Sequence, residues 1–324
     1  MPSPQVAVLG ECVADAFVTP GAPAGELALR VLPGGGPANT AVALARLGTP
    51  TRFLGRLSDD SFGALFRGHL AASGVDLTGC VAATEPSTLA VATLDESGQA
   101  RYSFHAEGAA DWAWSPAELT AERVGEVSCL HTGSLALVRP PGAENVEDLL
   151  AAVAGRVTVS VDPNVRAGLV PLGLYRERMP RWCALADIVK LSDDDLEQIH
   201  PGEPAGQVCD AWHAAGARLI VVTRGPLGAL VSVGGERTTV PAPPVDVVDT
   251  VGAGDSFTAG LLHRLGTRGL LGGRLDALDL AEAAEAAAFA ARVAAFTCSV
   301  AGANPPWAHD LTGDTAGGVS RPSA

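Results

Sequence analysis

Short apolar runs alternate with longer amphipathic stretches along most of the chain. The apolar runs predict buried strands at 5–10, 127–133, 157–161, 186–190 and 218–223. Apolar residues at helical spacing predict helices at 38–47, 60–72, 143–154, 176–184, 205–215, 255–265 and 279–298. Continuous apolar strands separated by helices are typical of a parallel sheet covered on both faces, so the pattern predicts an α/β protein.

Two stretches interrupt this alternation. Residues 16–33 and about 86–106 show short alternating strands, which predict a small sheet apart from the core that serves as a lid over a cleft. A further antiparallel patch is predicted at 228–240. From about residue 309 the chain is rich in Gly, Ser and Thr without apolar periodicity, which predicts one domain at 1–308 and a disordered tail at 309–324.

Composition excludes several classes of partner. Of the 324 residues, 47% are hydrophobic and 18% charged, which is typical of a globular protein, and the net charge is −14. Nucleic acids and anionic membranes need a basic face, so neither is expected as a partner. The alanine-rich segment 281–301 carries charged residues and predicts a buried helix rather than a membrane span.

The cysteines and the N-terminus indicate a cytoplasmic location. The six cysteines are far apart and form no Cys-x-x-Cys pair, so we expect reduced thiols. The chain enters its first strand without a basic region and an apolar signal segment. Lys190 is the only lysine, and because no Gly-Lys dipeptide exists, a Walker-type phosphate loop is excluded.

The segment Val248–Gly260 combines a glycine turn with the start of an apolar helix. Gly252 and Gly254 flank Ala253 in the turn, and Asp255 lies in the first helical turn. Backbone N–H groups at a helix N-terminus bind anions, and glycines let a phosphate approach them closely. A carboxylate beside an anion site is unfavourable unless it has a function, such as removing a proton from an attacking hydroxyl. The segment therefore indicates phosphoryl transfer, although packing alone also explains a glycine turn.

A second glycine-rich segment, Pro33–Thr40, precedes a predicted helix. Gly34 and Gly35 permit close approach of a ligand, and the Asn39 amide can donate to and accept from sugar hydroxyls. Alternatively, Asn39 caps the helix. Asp15 follows the first strand, at the end where open α/β sheets bind ligands, and its carboxylate can hold vicinal hydroxyls. A solvated loop acid fits Asp15 equally well.

Two further polar segments follow predicted strands. Arg166 follows the strand at 157–161 and can present a planar array of donors to a phosphate, although residues 162–163 are also typical of a simple turn. Acidic residues 193–195 begin a predicted helix, where they complement its dipole. One of these three carboxylates can instead hold Mg²⁺ through water.

Taken together, these segments resemble the ribokinase-like carbohydrate kinases, the phosphofructokinase-B superfamily, over about residues 5–306. The family's Gly-Gly-rich loop with an asparagine is matched by Gly34–Asn39, and its signature Asp-Thr-x-Gly-Ala-Gly-Asp-x-Phe by Asp249–Phe257. The resemblance implies a Rossmann-like three-layer α/β/α fold with a small β lid. It also implies an ATP-dependent sugar kinase that uses Mg²⁺ and, in some members, K⁺.

The resemblance further implies roles for individual residues, with Asp255 as the general base. Residues expected to stabilise the transferred phosphate are Gly252, Ala253, Gly254 and Arg166. Residues expected to bind the sugar are Asp15, Gly34, Gly35, Asn39, Phe104 and Asp255. Residues expected to bind the nucleotide are Lys190, Thr223, Gly225, Gly228, Gly252 and Gly254. A monovalent cation is expected at Asp249 and Thr250, and Mg²⁺ at Asp195 through water, although the family's Asn-x-x-Glu element for Mg²⁺ is not kept here.

The identity of the sugar is predicted from the lid. Residues 102–114 look like those of bacterial fructokinases, and relatives that phosphorylate 2-keto-3-deoxygluconate place an arginine where this chain has Ala106. A neutral sugar, fructose first, is therefore favoured over 2-keto-3-deoxygluconate and over ribose or a nucleoside. A non-catalytic sugar- or nucleotide-binding protein is the alternative from another class. Exposed lid strands can pair between two copies, so a homodimer is also expected.

Overall fold

A computed structural model describes residues 5–19, 21–94 and 100–312. Part of the predicted lid, 95–99, and most of the predicted tail, 313–324, lie outside the described residues.

Strands and helices alternate along the described chain. The strands are β1 (Val6–Leu9), β2 (Val13–Thr19), β3 (Ala28–Gly34), β4 (Thr51–Leu54), β5 (Arg56–Ser58), β6 (Val81–Ala83), β7 (Thr88–Leu94), β8 (Ala100–His105), β9 (Cys129–Gly133), β10 (Thr158–Asp162), β11 (Ile188–Ser192), β12 (Leu219–Thr223), β13 (Ala229–Val233) and β14 (Glu236–Val240). The helices are α1 (Gly36–Arg46), α2 (Ser61–Ala72), α3 (Ala121–Val124), α4 (Gly142–Val153), α5 (Leu172–Leu185), α6 (Asp193–Ile199), α7 (Ala205–Ala215), α8 (Ala253–Thr267) and α9 (Leu280–Cys298).

The main sheet has the strand order β14-β13-β12-β11-β10-β9-β1-β4 among the described residues. Strands β4, β1 and β9 to β12 pair in parallel, and the hairpin β13–β14 extends the sheet in the antiparallel sense. The five predicted buried strands correspond to β1 and β9 to β12, and the α/β fold is confirmed. The sequence pattern missed the short edge strand β4, because Thr51 and Arg52 leave it only two apolar residues, whereas all four residues of β1 are apolar.

Side chains of successive strand residues enter two separate hydrophobic cores. On β1, Val6 and Val8 pack with apolar residues of α1, α8 and α9, whereas Ala7 and Leu9 pack with residues of α4, α5 and α7. Because neighbouring residues of a strand point to opposite faces, the two cores lie on opposite sides of the sheet. The fold is therefore the predicted three-layer α/β/α arrangement.

A second sheet, with the order β3-β2-β7-β8, stands apart from the main one. It is built from the two stretches with alternating strand patterns, and β2 begins at Val13. Buried Asp111 fixes the point where β2 and β7 leave the core, since its Oδ1 accepts from the Cys12 N–H at 2.9 Å and its Oδ2 from the Thr88 hydroxyl at 2.7 Å. This attachment holds the small sheet over the carboxyl end of β1.

The C-terminal segment departs from the expectation of a tail beginning at 309. Residues Ala308–Leu311 form a short 3₁₀ helix. Just before it, the Arg46 guanidinium donates to the Asn304 side chain at 2.6 Å and to the Pro305 carbonyl at 2.9 Å. These bonds attach the residues just before the short helix to α1, and the predicted tail stays a prediction, since 313–324 lie outside the described residues. All six cysteines are free thiols, as expected.

Candidate active site

Helix α8 begins with an uncapped glycine turn. Gly252 has a φ of 75°, and a Cβ at this position would lie 2.7 Å from the Ala303 side chain, so only glycine fits here. No side chain caps the helix at its N-terminus. The Ala253 N–H donates to the Thr250 carbonyl, and the other first-turn N–H groups are left for an anionic ligand, so the predicted phosphate site stays a prediction with Gly252 and Gly254 at its centre.

Asp255 lies in the first turn of α8 and faces a cleft between the two sheets. The Asn39 side-chain amide donates to its Oδ2 at 2.9 Å. Burial raises the pKa of Asp255, while the Asn39 hydrogen bond and the nearby charge of Lys190 act in the opposite direction. A raised pKa makes the carboxylate a stronger base, which suits proton removal from a hydroxyl.

Asn39 lies inside α1 rather than at its cap, because the helix begins at Gly36, two residues earlier than predicted. The start of α1 is packed closely against the opposite wall of the cleft. A Cβ on Gly36 would lie 2.8 Å from Nδ2 of Asn164 and 3.2 Å from Oδ1 of Asp255. The third glycine of the run therefore leaves room for the Asp255 carboxylate.

The cleft has a volume of about 400 Å³ and brings together much of the predicted sugar site. The predicted residues that line it are Asp15, Gly35, Asn39, Phe104, Arg166, Gly252 and Asp255. Asp15 lies on β2 of the small sheet, not in a loop after β1 as expected. Burial raises the pKa of Asp15 to about 6, and Arg166 partly opposes this shift. A side chain at Gly34 would collide with the Asp15 carboxylate, so this glycine makes room for it.

Lys190 lies beneath the cleft and is absent from its lining. Its Nζ is buried and donates to Asp162 Oδ2 at 2.7 Å. A Cβ on Gly254 would lie 3.1 Å from this ammonium group. Burial opposes the charge of Lys190, but the Asp162 carboxylate outweighs it, and the pKa of Lys190 is raised. Lys190 therefore places a positive charge below the start of α8, and its predicted part in nucleotide binding stays a prediction.

Asp195 has a structural task, whereas its predicted Mg²⁺ role stays a prediction. Its Oδ2 accepts from the Ser192 N–H at 3.2 Å, and the Ser192 hydroxyl accepts from the Asp195 N–H at 3.0 Å, which together form a capping box. Its Oδ1 accepts from the Val165 N–H at 3.0 Å. Asp195 thus caps α6 and holds the loop that carries Arg166.

Three of the predicted nucleotide residues, Thr223, Gly225 and Gly228, lie at the end of β12 and in the turn that follows it. The Thr223 hydroxyl donates to the Leu191 carbonyl at 3.3 Å, and Gly225 has a φ of 48°. Gly228 has a φ of 85°, and a side chain there would collide with the Val240 carbonyl. This turn lies at the carboxyl edge of the main sheet, because Thr223 pairs with Ser192 at the end of β11.

Asp249 connects two loops near the start of α8. Its Oδ1 accepts from the Val251 N–H at 3.0 Å and its Oδ2 from the Gly302 N–H at 2.8 Å. Thr250 is exposed, and its carbonyl accepts from the Ala253 N–H at 3.2 Å. No cluster of three or more His, Cys, Asp or Glu side chains suited to a metal occurs among residues 5–19, 21–94 and 100–312.

Ala106 does not line the cleft. It is buried in the core on the α4–α5 side, and its carbonyl accepts from the Trp112 indole N–H at 2.8 Å. Phe104, two residues earlier on β8, is the aromatic residue of this segment that faces the site. Ala106 therefore does not by itself favour a neutral sugar over an acidic one.

Two polar residues at or beside the cleft, Glu11 and Asn164, had no role assigned from the sequence. Glu11 lies two residues beyond the end of β1 and lines the cleft, and the Asn164 side chain lies next to Gly36, which also lines it. Both lie at carboxyl ends of parallel strands, where ligands of open α/β sheets bind. Their position after a predicted strand could have indicated both residues, as it indicates Asp15 and Arg166.

These features define the class of the protein: an α/β fold with a helix start that no side chain caps, a carboxylate in the first turn of that helix and a cleft with polar groups in its lining. A family model described as "pfkB family carbohydrate kinase" matches residues 3–310. The chain belongs to the pfkB family of carbohydrate kinases, as the sequence motifs predicted.

Individual relatives agree with this assignment. The chain is 38% identical over 248 residues to a fructokinase of Rhizobium leguminosarum bv. trifolii, covering 76% of each. Its structure is similar to that of Xylella fastidiosa fructokinase with bound ATP, with a TM-score of 0.83, 28% identity and coverage of 92% of this chain and 93% of the other. It is also similar to a double mutant of Vibrio cholerae O395 fructokinase in its fructose-, ADP- and potassium-bound form, with a TM-score of 0.77, 29% identity and coverage of 93% and 94%.

Within the described part of the chain, none of the helices combines the length and apolar character that crossing a membrane requires.

Proposed function

We propose that this protein transfers the γ-phosphate of ATP to a primary hydroxyl of fructose. One observation carries the proposal: Asp255 belongs both to the start of α8, where a phosphate can bind, and to the cleft lined by Asp15 and Asn39. A hydroxyl held in this cleft lies next to both a base and an anion site. Catalysis of phosphoryl transfer depends mainly on positioning the hydroxyl and the phosphate next to each other and on stabilising the charge.

The reaction follows from this arrangement. Asp255 accepts the proton of the sugar hydroxyl, whose oxygen forms a bond to the γ-phosphorus while the bond to the β-phosphate oxygen breaks and ADP leaves. The N–H groups near Gly252 and Gly254 stabilise the negative charge of the transferred group, with Arg166 on the opposite side. Lys190 adds positive charge from below without contacting the nucleotide.

Mg²⁺, when bound, neutralises charge on the nucleotide phosphates. We propose that it arrives with ATP and keeps most of its water, since Asp195 already accepts bonds from Val165 and Ser192. A K⁺ ion is proposed next to Asp249 and Thr250, supported by the potassium in the related Vibrio cholerae structure. At that place the ion would lie close to the start of α8.

The choice of fructose depends on relatives and on the cleft. The Rhizobium relative is named a fructokinase, and the Vibrio cholerae structure contains fructose. In this chain, the Asp15 carboxylate suits neighbouring hydroxyls of a neutral sugar. Arg166 is the arginine that lines the cleft, and its position near Asp255 suits a phosphate.

For the nucleotide, we propose a position along the turn Thr223–Gly228. Leu227 in this turn and Val247 and Val248 in the loop before α8 are large apolar residues that remain exposed. Exposed apolar side chains around a binding edge suit the flat face of an adenine ring.

The small sheet is proposed to close over bound sugar and exclude water, which would otherwise accept the phosphate. Leu29 on its edge strand β3 and Leu27 just before this strand are exposed apolar residues. Two copies can pair through this edge, so a homodimer is proposed, and light scattering of the purified protein tests it. A cytoplasmic location is proposed because all six thiols are free.

An assay that couples ADP release to a visible signal tests the function. Fructose, 2-keto-3-deoxygluconate, ribose, tagatose and adenosine are compared at equal concentration with ATP and Mg²⁺. We expect fructose to give the highest kcat/KM. Binding of a sugar without ADP release would instead support the non-catalytic alternative, and a preference for another substrate would replace fructose in the proposal.

A further inference from the structure

Glu11 is a buried carboxyl group at the floor of the sugar cleft. It lies two residues beyond the end of β1, is only 2% exposed, and lines the cleft together with Asp15 and Arg166. Burying a carboxyl group costs free energy unless its oxygens find partners. The bonds that Glu11 makes therefore indicate its purpose.

One oxygen of Glu11 has no partner. Oε2 is buried without a hydrogen bond among the described residues, and the Ser134 side chain lies near the carboxyl group, where it lowers the pKa of Glu11. Neighbouring Asp111 shows the opposite pattern, because both of its oxygens accept bonds that hold the small sheet in place. Nearly all buried polar atoms in proteins are paired, so an unpaired oxygen in a ligand cleft indicates a group that a ligand completes.

Among the residues that the structure describes, no cationic side chain forms an ion pair with Glu11. The nearby Arg166 guanidinium donates through Nη1 to the Val165 carbonyl. Burial raises the pKa of Glu11 to about 7, and Ser134 and Arg166 partly offset this shift. Near neutral pH the group can therefore either accept or donate a hydrogen bond. A sugar hydroxyl can do both as well, which makes it a fitting partner.

We propose that Glu11 is a sugar-binding residue whose Oε2 hydrogen-bonds a hydroxyl of the bound sugar other than the one phosphorylated. The phosphorylated hydroxyl belongs next to Asp255, and Asp15 on β2 holds further hydroxyls. Glu11 then forms a hydrogen bond with an additional hydroxyl at the base of the cleft, so it contributes to discrimination among polyhydroxylated sugars. This inference rests on the proposed function, because it assumes that the cleft binds a sugar.

The test compares two replacements at this position. Glu11→Met removes the hydrogen bond with little change in length, and Glu11→Gln keeps it without charge. Losing a buried hydrogen bond to a substrate lowers affinity about 10- to 100-fold, so we expect the Met variant to raise KM for fructose by this factor. KM for ATP should stay unchanged, and the Gln variant should recover most of the affinity for fructose.

Glu147→Gln serves as the matched control. Glu147 is equally buried, but its oxygens accept from Arg178, Arg181 and the Trp182 indole, away from the cleft. This variant should lose stability in urea while KM for fructose stays within about twofold, because it touches no cleft residue.

Fructose analogues that each lack one hydroxyl identify the contact. Removing the hydroxyl that Glu11 binds should weaken binding to the wild type but cause no further loss in the Met variant. Such non-additivity is the signature of a direct contact. If the Met variant does not fold, judged by circular dichroism, Glu11→Ala replaces it in the same comparison.

The outcomes separate the two proposals. If the wild type phosphorylates fructose and the Met or Ala variant keeps its KM for fructose and for every analogue, Glu11 binds no sugar and the inference is overturned. If the wild type phosphorylates none of the sugars, the proposed function fails. Calorimetric titration of fructose into the wild type and the Met variant then decides the inference without turnover, and equal affinities reject it.

Discussion

Nδ2 of Asn39 lies 2.9 Å from Oδ2 of Asp255, although 216 positions separate the two residues. The contact exists because α1 and α8 pack side by side and begin at the same edge of the sheet. The Thr40 hydroxyl adds a longer bond, 3.4 Å, to the Asp255 carbonyl. The glycine loop of the sugar side and the glycine turn of the phosphate side are thereby fixed to each other.

Replacing the base should abolish most turnover without abolishing nucleotide binding. Asp255→Asn keeps the shape of the side chain but cannot accept the hydroxyl proton, so kcat should fall about 10²- to 10⁴-fold. ATP affinity, measured by calorimetry, should change little. Asp148→Asn, whose carboxylate is exposed on α4, is the control and should keep wild-type kcat. Near-normal turnover in Asp255→Asn would remove the base from the mechanism.

Asn39 should set the pH at which the enzyme loses activity in acid. Activity requires ionised Asp255, so the rate falls as the pH drops through the pKa of this group. The Asn39 hydrogen bond lowers that pKa, and Asn39→Ala should therefore move the acidic limb of kcat/KM to higher pH. Profiles for fructose measure the shift, with Asn145→Ala, which bonds the Trp114 carbonyl elsewhere, as the control. An unmoved limb would contradict this account.

Replacing only one partner of the buried ion pair Lys190–Asp162 should strongly lower the free energy of unfolding. Lys190→Met leaves the Asp162 carboxylate buried without its partner, and such changes typically cost about 3–5 kcal/mol of the free energy of unfolding. Urea titration measures this loss. The double variant Lys190→Met with Asp162→Asn should recover part of it, because no uncompensated charge remains. Equal losses in the single and double variants would argue against the pair.

Gly34 should matter for the sugar and not for the nucleotide. A methyl group in Gly34→Ala collides with the Asp15 carboxylate, so the carboxylate must move and KM for the sugar should rise about tenfold or more. KM for ATP should be unaffected. Gly68→Ala is the matched control: it lies in α2 with no atom within 4 Å of the added carbon, and should leave both constants unchanged. A similar rise in both variants would reject the explanation.

Asp195 should contribute to stability rather than to Mg²⁺ binding. Asp195→Ala removes the bonds to Ser192 and Val165, which should lower the free energy of unfolding by about 1–3 kcal/mol. The Mg²⁺ concentration for half-maximal activity should stay the same in an assay at fixed ATP. Asp194→Ala, an exposed neighbour, should change neither quantity. A clearly higher Mg²⁺ requirement in Asp195→Ala would restore its predicted metal role.

Some residues needed the structure because their position in the sequence fits two different roles. In the sequence, Asn39 fits a helix cap and Asp195 fits a metal ligand. Only the position of α1 shows that Asn39 reaches Asp255, and only the loop at Val165 shows what Asp195 holds. For Ala106 the outcome is the opposite. Its place in the lid segment predicted a position in the sugar site, whereas the structure buries it in the hydrophobic core.

The sequence by itself determined the α/β class, the parallel strands, the turn at Gly252–Gly254 and the family. These features depend on local order, in which apolar periodicity sets strands and helices and glycine sets a turn. The tertiary structure decided which side chains share the cleft: Asn39 against Asp255, Lys190 beneath α8, and Glu11 with a free oxygen. Such pairings depend on how distant segments pack, and a pattern along one chain carries no measure of that distance.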